Sequence, residues 1–240
     1  MVDAGISARS IKRFLNEMGI SMESVMGVLV THNHSDHIRG LEVLVRKANL
    51  PVFTTKKIWH SIQSTHNSLT NHCVREIALQ QQFQLAGFEI EVFRVSHDAP
   101  ETIGVHICSG DKSLTIATDL GHICSTSASY IRKANMLVIE SNYDEQMLIS
   151  GSYPYFLKKR ILSDNGHLGN KETSDFIAGM ISDNLSHICL AHLSKNNNTP
   201  EKALNTLKMT LVEKGLNMNG KTNILVLNRY VPTEMISLSD

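Results

Sequence analysis

The stretch Thr31-His32-Asn33-His34-Ser35-Asp36-His37 sets three imidazoles and a carboxylate within six positions, directly after the apolar run Val28-Leu29-Val30. Neutral imidazole and carboxylate are the donors that borderline divalent ions such as zinc and manganese accept. The four cysteines, Cys73, Cys108, Cys124 and Cys189, all lie well away from this stretch. A donor set without thiolate points to a catalytic centre with open coordination positions rather than a closed structural one.

Around this stretch the periodicity predicts the order strand, metal loop, helix, strand. Val28 to Thr31 reads as a buried strand; Leu41, Leu44, Val45 and Ala48 follow at helical spacing, and Pro51 ends that helix before a short strand over Val52 to Thr54. Upstream, Ile11, Phe14, Leu15 and Met18 predict an amphipathic helix capped by Ser7 and stopped at Gly19. Downstream, Phe88, Ile90 and Val92 alternate with Glu89 and Glu91 in a half-exposed strand running towards His97. Further strands are expected over Gly104 to Cys108, Leu114 to Thr118, Met136 to Ile139, His187 to Ala191 and Ile224 to Leu227. Helices are expected from about Asn170 to Met180 and from Thr199-Pro200 to Gly215. Between Tyr143 and Gly169 the glycines, Pro154, Asp164 and Asn165 predict loops around a short helix. Strands that come first as pairs and later alternate with helices describe a layered α/β sandwich with mixed sheets.

A chain of 240 residues fits one domain, so residues 1–240 read as a single unit of function. The 23 basic and 23 acidic side chains cancel, which excludes a whole-molecule field for DNA, RNA or an anionic membrane and makes any polyanion site local. Widely spaced cysteines with no C-x-x-C pair and no secretory signal read as reduced thiols of a cytoplasmic protein. Charged residues interrupt every apolar run long before the roughly 18 residues of a membrane span, so no membrane partner is expected.

Further donors recur at one kind of place. His97, Asp119 and His192 each sit just past a predicted strand, and parallel strands side by side bring such ends to one edge of a fold. A lone His-x-His pair is more often surface decoration, but a full His-x-His-x-Asp-His motif with three later strand-end donors reverses that reading. His60, His66, His72, His106, His122 and His187 lack such support and read as solvent-facing or core residues; His122 stands out only for lying three positions beyond Asp119.

The His32 to His37 motif resembles that of the metallo-β-lactamase superfamily. The wider chain resembles the YycJ (WalJ) group of hydrolases with that fold, through Val2-Asp3-Ala4-Gly5, Ser96-His97-Asp98-Ala99, Thr118-Asp119-Leu120-Gly121, Glu140-Ser141-Asn142, Gly166-His167-Leu168-Gly169-Asn170 and Leu190-Ala191-His192-Leu193-Ser194. The resemblance implies a four-layer αββα sandwich. It implies one metal held by His32, His34 and His97, a second by Asp36, His37 and His192, and Asp119 bridging both. It also implies an Asp3 that orients a ligand, and relatives that begin about two strands earlier. The chain is therefore expected to be N-terminally shortened, with an uncapped sheet edge prone to pairing.

Two divalent ions, zinc or manganese, roughly 3.5 to 4 Å apart generate a nucleophile from water and clamp a phosphoryl oxygen. Asp36 and Asp119 are the carboxylates expected in that chemistry. His167 lies outside the ligand set; in the related ribonuclease Z enzymes a histidine in a similar Gly-His context assists the leaving group or binds phosphate, so it reads as a substrate-contacting general acid. Glu140 at a strand end is open between a catalytic and a supporting role. Lys158-Lys159-Arg160, with Arg75 and Lys56-Lys57, is either a solvated face or a phosphate track, and Tyr153, Tyr155 and Phe156 either stack on unpaired bases or pack beneath the loop. Cys189, within an apolar strand, reads as core. The expected function is a dinuclear-metal phosphodiesterase on nucleic acid, with DNA as substrate and 5′ to 3′ exonuclease activity as the resemblance implies. The alternatives are a hydrolase of a small phosphodiester or cyclic phosphate and a metal-binding protein without activity. Protein partners are not legible.

Overall fold

The computed structural model describes residues 1–182, 184–216 and 222–238. The chain divides into two units, Met1–Val92 with Ala99–Ile103, and Phe93–Asp98 with Gly104–Asp240.

In the first unit, α1 (Ala8–Glu17) opens where the Ser7 hydroxyl accepts the Ser10 amide, and Gly19 takes up a positive φ of 73° just beyond its end. The strand β1 (Val28–Leu29) is followed by α2 (Ser35–Ile38), α3 (Leu41–Ala48) and β2 (Val52–Thr54). The histidine-rich loop is thus shorter than its motif: Asp36 and His37 already belong to the single turn of α2. Next comes α4 (Lys56–Gln63), not anticipated from the sequence, which buries Ile58, Trp59 and Ile62. The short strands β3 (Val74–Glu76) and β4 (Phe83–Leu85) complete the unit with the first part of β5 (Phe88–Val95). β1, β2 and β3 form a parallel sheet in the register Val28↔Val52 and Phe53↔Arg75, and Val2 adds a parallel bridge to Leu29.

The N-terminal segment also packs onto the metal loop. The Ala4 amide donates to the His37 carbonyl at 2.7 Å and the Gly40 amide donates to the Ala4 carbonyl at 2.8 Å. At Gly5 a Cβ would stand 1.8 Å from the Asp36 carbonyl oxygen, so only glycine permits that approach.

The second unit carries the end of β5, most of β6 (Thr102–Ser109), β7 (Lys112–Ala117), α5 (Ser125–Ile131), β8 (Met136–Glu140), α6 (Glu145–Ser150), α7 (Tyr155–Ile161), α8 (Asn170–Met180), β9 (His187–Ala191), α9 (Pro200–Glu213) and β10 (Asn223–Val226). The expected single short helix after Tyr143 is two, α6 and α7, joined through Gly151 to Pro154; Pro154 stands as the N-cap of α7, where its missing amide proton costs nothing. The strand order β10-β9-β8-β7-β6 is mixed, antiparallel between β6 and β7 and parallel from β7 to β10. Its core packs Phe93, Ile131, Leu137, Ile139, Ile177, Ile188 and Leu207 between strands and helices. Phe93 stacks on Tyr130 with ring centroids 4.5 Å apart, a placement that Gly104 permits because a Cβ there would lie 2.3 Å from the Phe93 ring.

The register decides which side chains share an edge. Ala117 pairs with Ile139 and Glu140 with Ala191, so the C-terminal ends of β7, β8 and β9 lie side by side. Asp119, Glu140 and His192 stand at or just past those three ends.

Candidate metal centre

In the first unit the motif imidazoles gather. The His32 ring lies 4.6 Å from that of His34 and 4.1 Å from that of His37, centroid to centroid, with His32 and His37 buried and Asp36 exposed. One carboxylate orients two of them. Asp3 accepts the Thr31 amide at 2.8 Å and the Thr31 hydroxyl at 2.7 Å, and it accepts the Nδ1 proton of His37 at 2.7 Å. Because the Thr31 hydroxyl proton goes to Asp3, its oxygen accepts the Nδ1 proton of His32 at 3.1 Å. Both rings are thereby fixed as the Nδ1–H tautomer, which leaves Nε2 carrying the lone pair that a metal ligand needs.

The second unit repeats the device with different acceptors. His97 donates its Nδ1 proton to the Gly166 carbonyl at 3.0 Å, and its Nε2 lies 3.6 Å from Asp119 Oδ1. Burial lowers the pKa of His97, favouring the neutral, ligating form over its charged one. His192 donates Nδ1–H to Glu140 Oε1 at 2.7 Å, and His167 donates to the same oxygen at 2.8 Å. The other Glu140 oxygen accepts the amides of Leu120 and Leu168 at 2.8 and 3.3 Å. Burial alone would raise the Glu140 carboxyl, but the bonds from His167 and His192 overcome it and hold the group well below the usual carboxylate range. Burial likewise opposes a charge on His167, and there too the bond and charge of Glu140 prevail, raising its pKa. Donor atoms of Asp119, Glu140, His167 and His192 all lie within 4.8 Å of one another.

Backbone geometry aims these groups. Asp119 and His192 take positive φ of 58° and 55°, and Asp3 one of 54°. The left-handed region is uncommon outside glycine, though Asp and His tolerate it better than most residues. The loop that ends in Gly166 is held close by small contacts: Ser96 donates to the Asp164 carbonyl at 3.0 Å, and a Cβ at Gly121 would meet that carbonyl oxygen at 2.1 Å.

The first unit gathers His32, His34 and His37, with Asp36 exposed on α2 next to His37, and the second gathers His97, Asp119 and His192, with His167 beside them. Imidazoles held with Nδ1 protonated, beside a buried carboxylate, fit a divalent ion. Of the acceptors, Asp3 follows from the resemblance, whereas Thr31 and the Gly166 carbonyl carry no signal in the sequence. Gly166 acts through a carbonyl that any residue possesses, and Thr31 shows in the sequence only as the end of a strand. Glu140, left open in the sequence, is a shared acceptor for two imidazoles. His122 is exposed and donates to the Asp164 carbonyl at 2.9 Å.

Residues 1–188 match the family described as the beta-lactamase superfamily domain. The chain is 36% identical over 243 residues to the exodeoxyribonuclease YycJ of Bacillus anthracis, covering 98% of this chain and 89% of that one. It is 35% identical over 221 residues to the exodeoxyribonuclease WalJ of Streptococcus pneumoniae serotype 2 (strain D39), covering 90% and 81%. Among solved structures, zinc-bound PqqB from Methylobacterium extorquens superposes with a TM-score of 0.66 at 18% identity, over 95% of this chain and 80% of that one. The chain belongs to the metallo-β-lactamase superfamily and, within it, to the YycJ/WalJ group. Its α/β architecture with a mixed sheet is the metallo-β-lactamase fold.

Proposed function

We propose that this chain is a metal-dependent phosphodiesterase acting on nucleic acid, a 5′ to 3′ DNA exonuclease working in the reducing cytoplasm. The observation that carries this reading is the cluster of Asp119, Glu140, His167 and His192 donor atoms at three parallel strand ends. The exodeoxyribonuclease names of relatives similar over nearly the whole chain supply the substrate class and the mode of attack. All four cysteines are free thiols, in keeping with that compartment, and no helix among the described residues is long and apolar enough to cross a membrane.

The proposed ligand set for two divalent ions, zinc or manganese, is His32, His34, Asp36, His37, His97, Asp119 and His192, with residues 1–240 acting as one hydrolase domain. Bound ions supply Lewis acidity and a nucleophile from water at neutral pH. The chain's own residues do the rest. Asp3, Gly166 and Glu140 hold imidazole tautomers. His167, which Glu140 keeps biased towards its protonated form, gives a proton to the oxygen that leaves when the phosphorus–oxygen bond breaks; its bond to Glu140 supports this role.

Elemental analysis of active protein, paired with hydrolysis of end-labelled duplex, single-stranded DNA, RNA and a chromogenic phosphodiester, tests this. Asp119→Ala is expected to abolish turnover; an undiminished rate refutes the mechanism. The neutral net charge favours a second reading, hydrolysis of a small diester, which turnover of the chromogenic substrate alone would select. Metal binding without turnover of any substrate would leave a binding protein.

A further inference from the structure

The outer surface of α6 and α7 carries residues that the chemistry above does not use. Tyr155 and Phe156 are 81% and 73% exposed, beside Ile149 and Leu162 at 59% and 47%. Tyr153, by contrast, packs against the small core of Tyr143, Leu148 and Ile161. A shallow groove of about 550 Å³ runs between Ile149, Tyr155, Lys158, Lys159, Leu162 and Ser163. Residues 146–163 contain Lys158, Lys159 and Arg160 and no acidic residue. The cations differ in what holds them: Arg160 is paired with Asp98, Lys158 donates to the Ile149 carbonyl at 2.6 Å, and Lys159 is exposed. A merely solvated helix face explains lysines but not two large rings standing in water beside them.

We infer that this face is where an unpaired DNA strand lies, its bases stacked on Tyr155 and Phe156 and its phosphates met by Lys158 and Lys159. Sequence-tolerant stacking beside a basic track is how single strands are held without base readout. An apolar protein partner for the same groove would leave Lys158 and Lys159 without an anionic counterpart, whereas a polyanion with flat apolar bases matches both halves. The face also leads to the reacting end. The Ile161 carbonyl, at the last residue of α7, accepts the His167 amide at 3.0 Å. The six helical steps from Tyr155 to Ile161 rise about 9 Å, so Tyr155 stands within a few nucleotides of that point. This assignment rests on the nuclease reading for its substrate, but its binding test does not require turnover.

The test is fluorescence anisotropy with a labelled single-stranded DNA of about ten nucleotides, within the usual span of such sites. A double variant, Tyr155→Ala with Phe156→Ala, is compared with the parent protein; both rings are exposed, and thermal melts check the fold. The double variant is expected to raise Kd roughly 10- to 100-fold, and Lys159→Ala to flatten the dependence of log Kd on log salt by about 0.7. In hydrolysis the parent's preference for the long strand over a dinucleotide is expected to shrink in the double variant. Equal Kd for parent and double variant overturns the inference, as does a parent that binds no single strand, or a face whose loss disperses a dimer while DNA binding stays the same. Binding through the rings without hydrolysis supports the inference and sinks the nuclease reading instead.

Discussion

The Asp3 carboxylate receives the Nδ1 proton of His37 while also holding Thr31, the residue that in turn receives the Nδ1 proton of His32. One acid near the N-terminus thus sets the tautomer of two imidazoles in the metal loop.

Asp3→Ala removes both constraints. Metal affinity is expected to fall about 10- to 100-fold, the usual cost of losing an orienting partner. Competition against a chromogenic chelator measures it, and an unchanged affinity would show that the two rings orient themselves.

Gly5→Ala places a Cβ where the Asp36 carbonyl oxygen already stands. Backbone must move to admit it, so unfolding free energy is expected to drop by about 1–3 kcal/mol or more. Denaturant titration of the metal-free protein reads the loss; an unaltered midpoint would mean that the Asp3 to Gly5 segment does not pack against α2.

Glu140→Gln keeps the shape of the side chain but turns one of its two acceptor positions into a donor that faces existing N–H groups. The cost is expected to be about 1–3 kcal/mol for the group left without an acceptor. In the metal-free variant the pKa of His167 should fall, since the charge that raises it is gone. NMR titration of His167 gives the answer, and an unchanged titration would remove Glu140 as its partner.

Cys189 lies fully buried in β9, and burial pushes its thiol up to about 11. Between the ordinary thiol value near 9 and that figure the folded chain keeps a proton that the unfolded chain releases. This contribution to stability is therefore whole below about pH 9 and is lost as pH rises towards 11. Cys189→Ala should lessen the decline of stability across that window, and iodoacetamide should reach Cys189 only on unfolding. Ready alkylation of Cys189 in native protein would contradict its burial.

Long periodic segments were legible in the sequence for physical reasons. α8, α9 and β9 fall where periodicity and caps place them, because a dozen residues of helical spacing or a run of apolar strand residues overdetermine the outcome. The short elements were not. β3 and β4 have three residues each, too few for alternation to register, and in α4 the apolar Ile58, Trp59 and Ile62 sit among Lys56, Lys57 and His60 over barely two turns. The donors of the candidate centre were legible because imidazole and carboxylate announce their chemistry. Their supports were harder to read. A carbonyl such as that of Gly166 has no residue-type signature, and Glu140 becomes a shared acceptor only through the parallel register that sets it beside Ala191.

The left-handed backbone at Asp119 and His192 puts two demands in opposition. Glycine would adopt that conformation without penalty, whereas any side chain there costs about 1–2 kcal/mol. Selection for heat resistance alone would drift towards glycine at both places and yield a sturdier protein stripped of the carboxylate and the imidazole that stand at those strand ends.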